Sequence, residues 1–145
     1  MNDVLSGSPE ETEDAGLRLG RELEQLDVLY LEGELGAGKT CFARGLARGL
    51  GAAAREVASP TFAIVHEYAA PDGRLVLRHL DLYRLEDRAA DLQAVGVPEA
   101  LSGAPVAVEW PGRAIRRLLP PTIEVAIVRA QGESRRIRIR RLSPP

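Results

Sequence analysis

The chain has 145 residues, 28% of them charged, with a formal net charge of -2 and a single cysteine. This length suits one domain whose core needs no metal staple, and one thiol excludes an internal disulfide. A near-neutral balance removes the bulk electrostatic case for nucleic-acid binding, and no apolar run is long enough for a membrane span or a secretory segment, so a cytoplasmic chain is expected.

Residues 1–8 are small and polar and read as a flexible tail. Ser8-Pro9-Glu10-Glu11 reads as a helix start, with a Ser cap, a first-turn Pro and acids that suit the dipole. Leu17, Leu19 and Leu23 carry that helix to about Gln25. Val28 to Leu31 is a short apolar run suited to a buried strand. A glycine-rich stretch, 33–40, follows, then a helix in which Phe42, Leu46 and Leu50 share one face and Arg44 and Arg48 another. Residues 49–58 read as a loop. Thr61 to Tyr68 and Leu75 to Leu82 read as strands joined through Ala70-Pro71-Asp72-Gly73, an antiparallel hairpin. Glu86 to Leu92 and Pro98 to Leu101 read as short helices, and Pro105 to Trp110 as a compact strand. Ala114 to Leu119 is a helix closed by Pro120-Pro121. Thr122 to Arg129 and Ser134 to Leu142 form a second hairpin around Gln131-Gly132-Glu133. Its last strand turns Ile137 and Ile139 inward and Arg136, Arg138 and Arg140 outward, a stripe that would blunt an edge strand. The fold class this predicts is α/β: a single domain with a mixed parallel and antiparallel sheet flanked by helices.

The glycine-rich stretch carries the chemistry. Gly33-Glu34-Leu35-Gly36-Ala37-Gly38-Lys39-Thr40 is a complete G-x-x-x-x-G-K-[ST] phosphate-binding loop. Lys39 is the only lysine among 19 basic residues. A compact ammonium fits between phosphates where a planar guanidinium is too wide. The loop amides and the helix N-terminus offer positive charge to the same anion, and the Thr40 hydroxyl suits Mg²⁺. Lys39 is expected to stand open to solvent before a nucleotide arrives. A glycine-rich turn ending in Lys-Thr by chance is disfavoured, because strand, loop and helix follow in the required order.

Metal and attacking water need acids just beyond strand ends. Asp81 ends one apolar run, although Arg78 and His79 interrupt it and a turn cap is the competing reading. Glu109 ends Pro105-Val106-Ala107-Val108, where an unused carboxylate would be costly. Cys41 reads as a packing residue. Two histidines, His66 and His79, are too few for a metal site and read as structural or partner-facing. Charge is lopsided: residues 1–34 hold ten acids and two bases, and residues 111–145 nine arginines and two acids. A basic end of this kind is first a solvated strand face and second a surface for RNA or an acidic partner.

Ser59-Pro60-Thr61-Phe62, Asp81-Leu82-Tyr83-Arg84-Leu85 and Val108-Glu109-Trp110-Pro111, in this order after Gly-Ala-Gly-Lys-Thr, closely resemble the TsaE (YjeE) family of small bacterial P-loop ATPases. The resemblance runs from about Thr12 to the final strand. It implies ATP and Mg²⁺ as ligands and a role in making threonylcarbamoyladenosine on tRNA, as an ATPase assisting a TsaB–TsaD complex, with tRNA reached indirectly. ATP rather than GTP rests on the resemblance alone. Carried over residue by residue, Gly33, Leu35, Gly36, Ala37, Gly38, Lys39, Thr40 and Cys41 would bind the nucleotide, with Thr12 beside it. Thr40, Asp81 and Glu109 would surround the metal; Asp81, Glu109 and Thr61 would serve the reaction, Thr61 as part of a switch-like loop. Trp110 would lie at the edge of the site or on the partner surface, and Arg84 is a candidate finger on the γ-phosphate. Cys41 departs from the family's usual Thr or Ser, and a thiol is the poorer donor. A small-molecule kinase is the alternative, but no acceptor-binding segment or lid is evident; a nucleotide sensor that never hydrolyses is opposed by Asp81 and Glu109.

Overall fold

The computed structural model describes residues 2–53, 56–58, 65–83, 89–94 and 103–142. Strands β1 (Asn2–Ser6), β2 (Val28–Glu32), β3 (Glu56–Ala58), β4 (Val65–Ala69), β5 (Leu75–Asp81), β6 (Val106–Glu109), β7 (Ile123–Arg129) and β8 (Arg135–Arg141) form one sheet in the order β1-β8-β7-β2-β6-β5-β4-β3. Helices α1 (Pro9–Gly20) and α2 (Lys39–Gly49) cover one face; α3 (Ala89–Ala94) and α4 (Arg113–Leu118) pack on the other. The four central strands, β5-β6-β2-β7, run parallel, and antiparallel neighbours extend the sheet on both sides.

Central strands buried on both faces carry continuous apolar runs instead of alternation. All four residues of β6 are buried, as are the first four of β2. Leu29, Leu31, Val125 and Ile127 pack under Phe42 and Leu46; on the opposite face Tyr30, Leu80 and Val108 meet Leu92 and Ile115. Tyr30 donates its phenolic proton to the carbonyl oxygen of Leu119 at 2.6 Å, so burial leaves its polar end paired.

Helix α1 begins as expected, with Ser8 Oγ accepting from Glu11 N at 3.1 Å, but it stops at Gly20, not Gln25. The two long helices meet through glycine. A Cβ on Gly16 would lie 2.2 Å from the Phe42 carbonyl oxygen, and one on Gly45 only 2.0 Å from that of Glu13. Gly20 and Gly49 repeat the contact one turn on, at 2.4 Å from Leu46 O and 2.2 Å from Leu17 O. Backbones this close admit no side chain.

Three expectations are corrected. Residues 2–6 are no flexible tail: β1 pairs antiparallel with β8, from Asn2↔Ile139 to Ser6↔Arg135. The strand has little apolar side chain to bury, so its ladder partner and the half-buried Val4 hold it. For the same reason β8 is not an edge strand. The 49–58 loop contains β3, paired with β4. The two expected hairpins, β4–β5 and β7–β8, are present, the first turned at Gly73, whose N–H donates to Ala70 O at 2.9 Å with φ at +89°. The predicted start of α3 at Glu86 and the helix at Pro98–Leu101 lie outside the described residues.

Candidate nucleotide site

The glycine loop, residues 33–38, leaves the C-terminal end of β2 and delivers its chain to α2. Gly36 and Gly38 hold left-handed φ of +78° and +115°, and Gly38 is the residue from which α2 starts. A Cβ on Gly33 would come 2.5 Å from Ile127 O, so the loop's first turn lies directly against β7. Both left-handed residues need glycine.

Lys39 does not stand open to solvent; it is 4% exposed. Its Nζ donates to Gly33 O at 2.6 Å, lies 3.6 Å above the centre of the Trp110 ring, and sits 4.0 Å from Glu109 Oε1. Burial lowers its pKa from the ordinary 10.5, partly opposed by the negative charges of Glu109 and Asp81. The carbonyl, ring face and carboxylate compensate the desolvated ammonium.

Parallel register brings the acids to the loop. Leu31, Glu109 and Asp81 stand abreast at the ends of β2, β6 and β5. Glu109 is 4% exposed, and its second oxygen, Oε2, lies 2.5 Å from His79 Nε2. Among the described residues Nε2 has no hydrogen-bond partner, so the two groups meet as a close polar contact. Asp81 Oδ1 accepts from Tyr83 N at 3.1 Å, so this carboxylate does cap a turn while facing the lysine's field. Trp110 takes φ of +59°, a left-handed conformation unusual outside glycine, and this holds its ring between Lys39 and Tyr83, whose ring centre is 4.9 Å away.

On the other flank, Thr12, 2% exposed, pairs its hydroxyl with Ser6 Oγ at 2.7 Å. Thr12, Gly38 and half-buried Cys41 line a cavity of about 120 Å³ with Arg135. Leu35 and Thr40 are exposed, at the loop crest and helix start; Ala37 is buried. The structure thus gathers Lys39, Asp81, Glu109 and Trp110 on one side of the loop and Thr12 and Cys41 on the other. Thr61 and Arg84 lie outside the described residues. A larger cavity of about 520 Å³ opens between α1 and β1, where Arg141 pairs with Glu22 at 3.6 Å. It is a gap between a helix and an edge strand, remote from the loop.

Sequence reasoning missed His79, Arg129 and Arg135. His79 was readable: it lies two residues before Asp81, hence on the same face of β5. The arginines follow from the alternation of β7 and β8, and both reach loop carbonyls.

Residues 6–137 match the family profile described as Threonylcarbamoyl adenosine biosynthesis protein TsaE. The chain belongs to the TsaE family. Its relatives in that family include the tRNA threonylcarbamoyladenosine biosynthesis protein TsaE of Bacillus subtilis, 43% identical over 90% of this chain and 79% of that one. The protein of the same name from Treponema pallidum is 40% identical over 85% and 88%. The crystal structure of Bacillus subtilis YdiB superposes with a TM-score of 0.68 at 34% identity, covering 94% of this chain and 82% of that one. Involvement of this TsaE-family chain in tRNA threonylcarbamoyladenosine biosynthesis follows. No described helix is long and apolar enough to cross a membrane.

Proposed function

We propose that the chain is a Mg²⁺-dependent ATPase that assists a TsaB–TsaD complex in threonylcarbamoyladenosine formation, acting in the cytoplasm and reaching tRNA through those partners. The observation that carries this reading is the meeting of Lys39 and Glu109, 4.0 Å apart, beneath a glycine loop. A polyphosphate fits these residues. Gly36 and Gly38 hold backbone conformations that let loop amides converge on an anion, and Lys39 supplies a cation at its base.

Thr40, with Asp81 and Glu109, would hold Mg²⁺, which when bound neutralises charge on the phosphate oxygens. Among the described residues no three His, Cys, Asp or Glu side chains converge on a metal, which suits an ion held largely by phosphate and water. Glu109 Oε2 faces His79, so Oε1, turned toward Lys39, is the atom to orient the attacking water and accept its proton. Trp110 covers the lysine and excludes water from its side of the loop. Asp81 and Thr61 complete the reaction set in this reading.

Phosphate release from ATP, followed with and without a TsaB–TsaD pair, tests the proposal. Slow release alone and faster release with the pair is expected, since groups supplied in trans raise phosphoryl transfer by about 10³–10⁵. Equal turnover at saturating partner overturns the assisting role, and label transferred to a small-molecule acceptor turns the reading to a kinase.

A further inference from the structure

Two arginines of the β7–β8 hairpin stand outside the reaction set described above. Alternation along β7 buries Ile123, Val125 and Ile127 under α1 and α2, and the next residue on that face is Arg129, beyond the apolar core. Strand β8 does the same in reverse, with Ile139, Ile137 and then Arg135. Arg129 and Arg135 are register partners, so both guanidinium groups leave the sheet at one place, beside the phosphate loop. Arg129 Nη2 donates to Leu35 O at 3.2 Å, and Arg135 Nε donates to Ala37 O at 3.0 Å. Arg135 is itself anchored, its Nη1 donating to Glu133 O and Ser134 O, both at 3.1 Å. The contact with the loop is close: a Cβ on Gly36 would lie 2.7 Å from Arg129 Nη2.

We propose that Arg129 and Arg135 are positioning residues that hold the phosphate loop in its anion-binding form. A loop with three glycines has many conformations to lose on meeting a polyphosphate. Two charge-assisted bonds from a rigid hairpin remove much of that freedom beforehand. They also engage the carbonyl oxygens of Leu35 and Ala37, which would repel phosphate if turned toward it, and leave the loop amides to face the ligand. The inference rests on the reading that this loop takes a nucleoside di- or triphosphate.

The test is ADP binding by calorimetry and ATP turnover with the full chain. The variants are Arg129→Ala, Arg135→Ala, Arg135→Lys and the double Ala variant. Arg138→Ala is the charge control: it removes the same charge from the opposite face of β8, where Arg138 pairs with Asp3 at 3.7 Å. Each single Ala variant should weaken ADP about tenfold, the scale of one hydrogen bond from a charged donor, and the double variant more. KM for ATP should rise while kcat at saturation changes less than about twofold, a split that general destabilisation would not produce. Arg135→Lys should recover only part of the loss, because one ammonium cannot keep Nε and Nη1 bonds together. ADP affinity unchanged in the double variant, or weakened equally by Arg138→Ala, overturns the proposal. Failure of the wild-type chain itself to bind ADP removes the nucleotide reading instead, a distinguishable result.

Discussion

Lys39 exchanges water for a carbonyl oxygen, a tryptophan face and a carboxylate. Lys39→Ala should abolish binding of ATP measured by calorimetry while the circular dichroism spectrum keeps its native form. An unchanged dissociation constant would remove the lysine from the site. Burial lowers the lysine's folded-state pKa below 10.5. Between the two values the unfolded chain binds more protons than the folded one, so this group's contribution to stability grows as pH rises through that window and is least at neutral pH. The stability of wild type relative to Lys39→Met should therefore increase from neutral to alkaline pH; a flat difference in unfolding midpoints would contradict the burial argument. Glu109→Ala and Asp81→Ala should keep nucleotide and lose hydrolysis by about 10²-fold or more. Near-normal phosphate release from the Glu109 variant would take it out of the mechanism.

At the scale of elements, α1 and α2 bring Thr12 and Cys41 together on one flank of the site, and glycines decide how close the helices come. Gly45→Ala would drive a methyl group to 2.0 Å from Glu13 O, a backbone atom that can move only with its helix. A destabilisation of about 3 kcal/mol is expected, at the upper end for overpacking, with nucleotide affinity also reduced because Thr12 and Cys41 separate. Denaturant unfolding measures the first and calorimetry the second; an unfolding free energy within error of wild type would show that the helices slide apart at no cost. Ser6→Ala leaves the buried Thr12 hydroxyl without its 2.7 Å partner, which should cost about 1–3 kcal/mol.

Across the whole molecule, the face that carries the candidate site is made by the parallel strands. Asp81, Glu109, Leu31 and Val125 stand in one register row across them. The antiparallel pairings serve other purposes: β8, paired with β7, helps bring two arginines to the loop, and β1 covers the outer edge of β8. Removing residues 1–6 should lower the thermal midpoint and promote association, since it exposes the unpaired ladder of β8 and takes away Ser6. A truncated chain that stays monomeric in sedimentation with an unchanged midpoint would show that β1 is dispensable.

Local chemistry made much of this legible beforehand. The strand–glycine loop–helix order around 33–40, the Ser8 cap, the apolar β2 and β6 and the two hairpins depend on dihedral preferences, spacing and short-range turns, which neighbouring residues determine. Asp81 and Glu109 were readable as strand-end acids for the same reason. What the chain did not disclose depends on partners distant in sequence. The polar residues 2–6 become a strand only because β8 is there to pair with them. Gly16 and Gly45 look like weak helix residues until two backbones approach. Lys39 is buried because Trp110, seventy-one positions on, lies across it, and His79 meets Glu109 only through the register of β5 with β6. Sequence determined which chemical groups this protein owns; tertiary packing decided which are desolvated, and so which charges and hydrogen bonds carry weight.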